Sequence, residues 1–197
     1  ESEAVIGKWL ESRGVRHAML IGTKTNIWGK PGMLAPDIVA QELERSLERL
    51  RTDYVDLYYA HRDEPETPLD EVAAGFDALV KCGKVREVGA SNYTAERLAN
   101  ALEAADKAGC TPFTVLQNEY NLVERGQFEG FAQDLCVKRG IAALPYYGLA
   151  AGMLTGKYRS EADLAKFSRG SSVSRYLERA LPILAVMDEI ALETGAS

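Results

Sequence analysis

Tyr54-Val55-Asp56-Leu57-Tyr58-Tyr59-Ala60-His61 is an apolar, aromatic-rich run that ends on a histidine and is followed by Arg62-Asp63-Glu64-Pro65. A run of this length bounded by turn residues reads as a buried strand. Three other runs end in the same manner. Ala18-Met19-Leu20-Ile21-Gly22-Thr23 leads to Lys24, Val85-Arg86-Glu87-Val88-Gly89-Ala90 leads to Ser91-Asn92, and Phe113-Thr114-Val115-Leu116 leads to Gln117. Polar side chains at the carboxyl ends of successive parallel strands converge on one mouth of an α/β barrel, where such barrels do their chemistry.

Helical patterns fill the intervals. Residues 2–12 place Val5, Ile6, Trp9 and Leu10 on one stripe. From about Pro36 to Leu50 the stripe is Ile38, Val39, Leu43, Leu47 and Leu50, at the spacing of an amphipathic helix. Thr67-Pro68 predicts a capping residue and a first-turn proline for a helix that Gly83 closes. Thr94 caps the next helix, which runs to about Lys107, and a further helix near 126–139 closes at Gly140. A strand at 141–146 then leads through a Gly-, Ser- and charge-rich loop, 148–175, to a last helix near Tyr176–Glu193. There Leu177, Leu181, Leu184, Met187, Ile190 and Ala191 are expected to face inward. Strict β-then-α alternation predicts an α/β protein with a parallel sheet wrapped by helices, in one domain spanning 1–197. A doubly wound sheet is the competing architecture.

Composition narrows the function classes. The 197 residues are 46% hydrophobic and 26% charged, as in an ordinary globular protein. A net charge of −6 disfavours nucleic-acid binding. No apolar run approaches the roughly 18 residues of a membrane span. No secretory leader is visible at Glu1-Ser2-Glu3. Cys82, Cys110 and Cys136 are odd in number and scattered, which reads as reduced thiols in the cytoplasm rather than a disulfide framework. With His17 and His61 as its histidines, the chain is expected to hold no metal.

Lys24 reads either as a strand-end lysine snorkelling to water or as a catalytic cation that lowers a neighbouring phenol's pKa. His61 reads either as a core imidazole bonded to backbone or as an acid–base group. Ser91, Asn92 and Gln117 offer hydroxyl and amide groups suited to a carboxamide ligand, although Asn after a strand also serves as a turn residue. Gly148-Leu149-Ala150-Ala151-Gly152-Met153-Leu154-Thr155-Gly156-Lys157 is not a Walker A loop, and no Gly-x-Gly-x-x-Gly fingerprint occurs. Its small residues and lysine still suit close approach to a pyrophosphate.

These stretches resemble the aldo-keto reductase superfamily of the bacterial type. The resemblance lies in Thr23-Lys24, Leu50 through His61, Gly83 through Asn92, Leu116-Gln117-Asn118-Glu119-Tyr120-Asn121-Leu122, and Gly152 through Tyr158. It implies a (β/α)8 TIM barrel, of which the chain holds about strands three to seven. It also implies an NADPH-dependent reductase of small aldehydes or ketones in which a tyrosine gives the carbonyl oxygen a proton. Lys24 and His61 match two members of the family's Asp, Tyr, Lys and His tetrad. The resemblance places the Asp and Tyr upstream of Glu1, so the chain alone is expected to be inactive. Ser91, Asn92 and Gln117 match positions that hold the nicotinamide carboxamide, and Tyr146 matches the aromatic that stacks on its ring. Tyr147, Gly148, Leu149, Ala150 and Gly152, with Lys157, match the pyrophosphate-covering segment. Tyr147-Gly148 stands where the family commonly has Ser-Pro, which loosens that backbone. The adenosine 2′-phosphate segment is expected beyond Ser197. Two other readings stand beside this one. One is an NADP-binding regulatory or auxiliary subunit. The other is a barrel isomerase or aldolase that uses Lys24 as a Schiff base.

Overall fold

The structure, a computed structural model, describes residues 1–25 and 28–196. They group into two compact units, one of residues 1–118 with 131–144 and one of residues 119–130 with 145–197.

The first unit carries a five-stranded sheet, β1 Gly22–Thr25, β2 Val55–Ala60, β3 Val85–Ser91, β4 Val115–Gln117 and β5 Ala142–Ala143. Every neighbouring pair is parallel and the strand order is β1-β2-β3-β4-β5. A doubly wound sheet reverses its order at a switch point. A strictly sequential order without reversal is the winding of an α/β barrel. Helices α1 Ser2–Arg13, α2 Pro36–Leu50, α3 Leu69–Lys81, α4 Ala95–Ala108 and α5 Phe131–Arg139 accompany the strands.

Why these residues fold this way is clearest around β2. Val39, Leu43, Leu47 and Leu50 of α2 are buried, and the Tyr58 hydroxyl donates to the Val39 carbonyl at 3.2 Å. Rings run on from Tyr58 to Phe76, Phe113 and Tyr93, with centroids 5.6 to 5.8 Å apart, a spacing at which tilted and edge-on pairs attract. On β3, a Cβ at Gly89 would stand 2.6 Å from the Tyr59 ring, so only glycine leaves room for that tyrosine. α1 approaches α2 closely at Gly7, where a Cβ would meet the Arg49 carbonyl oxygen at 2.3 Å. Thr94 caps α4 as expected, accepting the Arg97 N–H at 3.1 Å.

Several boundaries differ from the sequence reading. Residues 18–20 are not strand: Arg16–Ala18 forms a 3-10 turn, and Leu20 is 87% exposed. The Arg16 guanidinium holds the Met19 carbonyl and so bends that segment away from the sheet. Only Leu10 and Gly7 of α1 are buried, while Val5, Ile6 and Trp9 are exposed. Thr67 does not cap α3. Its hydroxyl bonds the Glu64 carboxylate, and Pro68 occupies the capping position. α5 begins at Phe131 rather than near 126, after a left-handed Gly130. β5 ends at Ala143 rather than 146, although the Leu144 N–H still donates to the Leu116 carbonyl at 2.9 Å and Tyr146 makes an isolated parallel bridge to Glu119.

The second unit surrounds a cluster of Ala150, Met153, Leu154, Tyr158, Tyr176 and Leu184. The segment expected as a loop holds short helices, α6 Glu161–Leu164 and α7 Gly170–Val173, with 3-10 turns at Ala150–Thr155 and Ser174–Tyr176. The last helix, α8, runs Leu177–Thr194. Its inward stripe steps by four from Tyr176 through Ala180 to Leu184, and Leu181 and Ile190 are exposed. Among the described residues no helix is long and apolar enough to cross a membrane.

Candidate functional site

In the first unit the sequence-predicted residues come together at one end of the sheet. Lys24 sits next to last in β1, directly opposite Tyr59 of β2. His61 follows β2, Ser91 ends β3 with Asn92 after it, and Gln117 ends β4. Parallel pairing puts all of these at carboxyl ends. The strand ends are stitched to one another. The His61 N–H donates to the Thr25 carbonyl at 3.0 Å. The Asn92 side-chain amide donates to the His61 carbonyl at 2.8 Å and to the Ser91 hydroxyl at 3.1 Å. The Ser91 hydroxyl donates to the Gln117 carbonyl at 2.7 Å, and the Asn92 N–H reaches the same oxygen at 3.3 Å. Asn92 adopts a left-handed backbone, φ 57°, a conformation that asparagine tolerates better than most residues.

Electrostatics tune the two titratable groups in one direction. Burial lowers the Lys24 ammonium below its ordinary value, and its Nζ lies 5.0 Å from the centroid of the Tyr59 ring. Burial also lowers the His61 imidazole, and the charges of Lys24 and Arg62 add to that. A histidine held below 6.5 is neutral at pH 7, so it can donate one hydrogen bond and accept another. Because the folded value lies below the unfolded one, the stabilisation is present above about pH 6.5 and lost as pH falls through the folded value. Stability of the chain is therefore expected to decline as pH falls below about 6.5, and His61→Asn should flatten that decline. Chemical denaturation at several pH values measures it, and an unchanged slope in the variant would contradict the assignment.

The loop after His61 is anchored by groups that the sequence reading passed over. The buried Glu64 carboxylate accepts from the N–H groups of Leu34 at 3.3 Å, Glu66 at 2.8 Å and Thr67 at 3.1 Å. Burial raises its pKa, but these bonds, led by the Thr67 hydroxyl, outweigh it and hold the carboxyl low. Arg97 of α4 reaches Asp63 at 2.9 Å and the Glu64 carbonyl at 3.2 Å. Tyr59, in the middle of a strand, forms the aromatic surface beside Lys24. Burial raises its phenol, so it is not tuned as an acid for neutral pH.

The second unit holds Tyr146 through Lys157. Tyr146 pairs with Glu119 in an isolated parallel bridge, and its carbonyl accepts the Tyr120 N–H at 3.4 Å. Tyr147, Ala150, Ala151 and Gly152 all have positive φ, at 55°, 49°, 55° and 103°. The Ala150 and Gly152 N–H groups are used inside the turn, on the Tyr147 carbonyl at 2.6 Å and the Leu149 carbonyl at 2.9 Å. A cavity of about 550 Å³ is walled by Tyr147, Leu149, Gly152, Lys157, Phe167 and Arg169, among others. Lys157 lies about 5 Å from the ring centroids of both Tyr158 and Phe167. Ala150 is instead fully buried in the apolar cluster, and Gly148 is exposed. Phe167, Ser168 and Arg169 were missed by sequence reasoning. Their signal is an aromatic, a hydroxyl and a cation in succession inside a Gly- and Ser-rich stretch.

A sequentially wound parallel sheet with a lysine, a histidine and amides at its carboxyl ends has the architecture of an α/β-barrel enzyme. The aldo/keto reductase family profile matches residues 1–197, and the chain belongs to that family. Aldo-keto reductase YhdN of Bacillus subtilis is 34% identical over 168 residues, covering 82% of this chain and 48% of that protein. Aryl-alcohol dehydrogenase (NADP(+)) of Phanerodontia chrysosporium is 30% identical over 213 residues, covering 99% and 55%. A probable voltage-gated potassium channel subunit beta of Arabidopsis thaliana is 30% identical over 165 residues, covering 82% and 50%. A solved structure described as a 2,5-diketo-D-gluconic acid reductase B superposes with a TM-score of 0.64 at 25% identity, covering 76% of this chain and 50% of that one. The chain spans about half the length of the curated relatives it matches.

Proposed function

We propose that the chain carries the nicotinamide-cofactor residues and half of the acid–base residues of an NADPH-dependent reductase of small aldehydes or ketones. The observation that carries the reading is the placing of Lys24, His61, Ser91, Asn92 and Gln117 along four adjacent carboxyl ends, the last four stitched by hydrogen bonds. Two relatives are named as NADP(+) proteins, which supports that cofactor. Each unit's donors suit one part of a dinucleotide: in the first, amides for a carboxamide; in the second, Lys157 and Arg169 on a cavity wall for a diphosphate.

Bound NADPH supplies the hydride. In this reading Ser91, Asn92 and Gln117 hold the nicotinamide carboxamide, and the Tyr146 ring stacks on the nicotinamide. Tyr147, Leu149 and Gly152, with Lys157, wall the cavity that takes the diphosphate, while Ala150, expected there from the sequence, packs in the core instead. Neutral His61 donates a hydrogen bond that orients the substrate carbonyl. Lys24 lowers the pKa of the phenol that protonates the carbonyl oxygen, since a nearby cation favours phenolate. That phenol matches no tyrosine of this chain. The 197-residue chain alone should therefore bind NADPH without consuming it with aldehydes, because general acid catalysis is worth about 10² to 10⁴ in rate. Following NADPH absorbance with a panel of aldehydes tests this, and turnover near 10 per second would show that another residue serves as acid.

The second reading is an NADP-binding auxiliary subunit, favoured by the 30% identity to the Arabidopsis channel subunit beta. Carbonyl reduction by the complete polypeptide that carries this sequence separates the two readings.

A further inference from the structure

Tyr147 is a bulky residue in a left-handed backbone, φ 55°, at the start of a turn whose later members Ala150 and Ala151 are left-handed too. Non-glycine residues persist in this region only where the surroundings over-determine them, and such positions gather at ligand clamps. What over-determines Tyr147 is visible. The buried Asn121 side chain donates from Nδ2 to the Tyr147 carbonyl at 3.1 Å. Its Oδ1 accepts the N–H groups of Val123 and Glu124, each at 2.9 Å. Its own N–H donates to the Glu124 carbonyl at 3.1 Å. One carboxamide thus closes the 121–124 turn and grips the peptide that follows Tyr147. The same Tyr147 carbonyl accepts the Ala150 N–H at 2.6 Å, and the Leu149 carbonyl accepts those of Gly152 at 2.9 Å and Leu154 at 3.1 Å. The grip on residue 147 is therefore continuous with the hydrogen bonds that shape the whole turn.

We propose that Asn121 is a positioning residue: by fixing the Tyr147 peptide it presets the left-handed 147–152 turn that walls the cavity of Lys157 and Arg169. The role in binding rests on the reading of that turn as the diphosphate segment. The role in shaping the turn does not. Neither aspartate nor alanine can make this latch. Aspartate keeps the acceptor for Val123 and Glu124 but has no N–H for the Tyr147 carbonyl, and alanine loses both.

A double-mutant cycle separates the latch from a general structural role, because glycine populates the left-handed region about as readily as the right-handed one. The cycle compares the unmodified chain, Asn121→Asp, Tyr147→Gly and the double variant, with Asn121→Ala as a second probe of the same bond and thermal melts to show that each folds. Amide hydrogen exchange is read at Ala150 and Gly152 without nucleotide, and NADPH affinity is read by fluorescence titration. Asn121→Asp should speed exchange and weaken NADPH binding by roughly tenfold, the worth of one such bond with a strained residue released. In the Tyr147→Gly background the same change should cost under about threefold. A charge effect of the aspartate alone would be equal in both backgrounds and would overturn the proposal, as would unchanged exchange in Asn121→Asp and Asn121→Ala. If the unmodified chain binds no NADPH, the cofactor reading falls, and the exchange cycle alone still decides whether Asn121 is the latch.

Discussion

Asp56→Ala is expected to destabilise the folded chain by about 2–3 kcal/mol, the cost of leaving the Ile21 N–H and the half-buried Arg16 guanidinium without their buried carboxylate. The Asp56 carboxylate accepts the Ile21 N–H at 2.8 Å, Arg16 at 2.9 Å and Arg86 at 2.7 Å. The Arg16 and Arg86 guanidiniums stack on the Tyr54 ring at 3.8 and 4.3 Å, so the ring holds both cations where the carboxylate needs them. Burial raises the Asp56 carboxyl, yet the Ile21 N–H and the two arginines outweigh it and hold it below its ordinary value. This stabilisation is present above about pH 4 and is lost as pH falls through the depressed folded value. Asp56 lies near the amino end of β2, away from Lys24 and His61, at the end of a barrel strand that serves stability rather than catalysis. Urea unfolding with an unchanged m-value measures the loss. A change under about 1 kcal/mol, the range of an exposed pair, would show that the cluster is not structural.

Lys24→Met, made in the complete polypeptide that carries this sequence, should lower turnover by about 10² to 10⁴ and leave NADPH affinity within about threefold. Methionine keeps a stem to pack on Tyr59 and removes the ammonium. The loss falls on a group that acts in the transition state rather than in cofactor binding. Tyr146→Ala should show the reverse pattern, weakening NADPH first because a stacking face is removed. Unchanged turnover in Lys24→Met would return Lys24 to the rank of a strand-end surface lysine.

Much of this site is legible in sequence because parallel strands translate it directly. A run such as 54–61 or 85–92 announces both the strand and the polar residue at its carboxyl end, and the sequential winding keeps those ends adjacent. What escapes is whatever a side chain's choice of hydrogen-bond partner or the packing of neighbouring elements decides, even when the partner is only three residues away. Residues 18–20 look like strand until the Arg16 guanidinium claims the Met19 carbonyl. Thr67 looks like a cap until Glu64 claims its hydroxyl. The inward stripe of α8 passes through Ala180, a residue too small to stand out beside Leu181, which faces water. In sequence Tyr59 is one aromatic among three in the run 54–61. Its place beside Lys24 follows from the β1–β2 register and from the room left by Gly89, neither of which a single strand encodes.

The central proposal is that this chain carries residues that hold a nicotinamide dinucleotide, some at the strand ends of the first unit and some around the 147–152 turn of the second. Fluorescence titration of the chain with NADPH tests it most directly. The account expects saturable binding that Tyr146→Ala and Lys157→Ala each weaken about tenfold or more and that Lys24→Met leaves nearly unchanged. Absence of saturable binding by a folded chain, or binding indifferent to Tyr146 and Lys157, would contradict it.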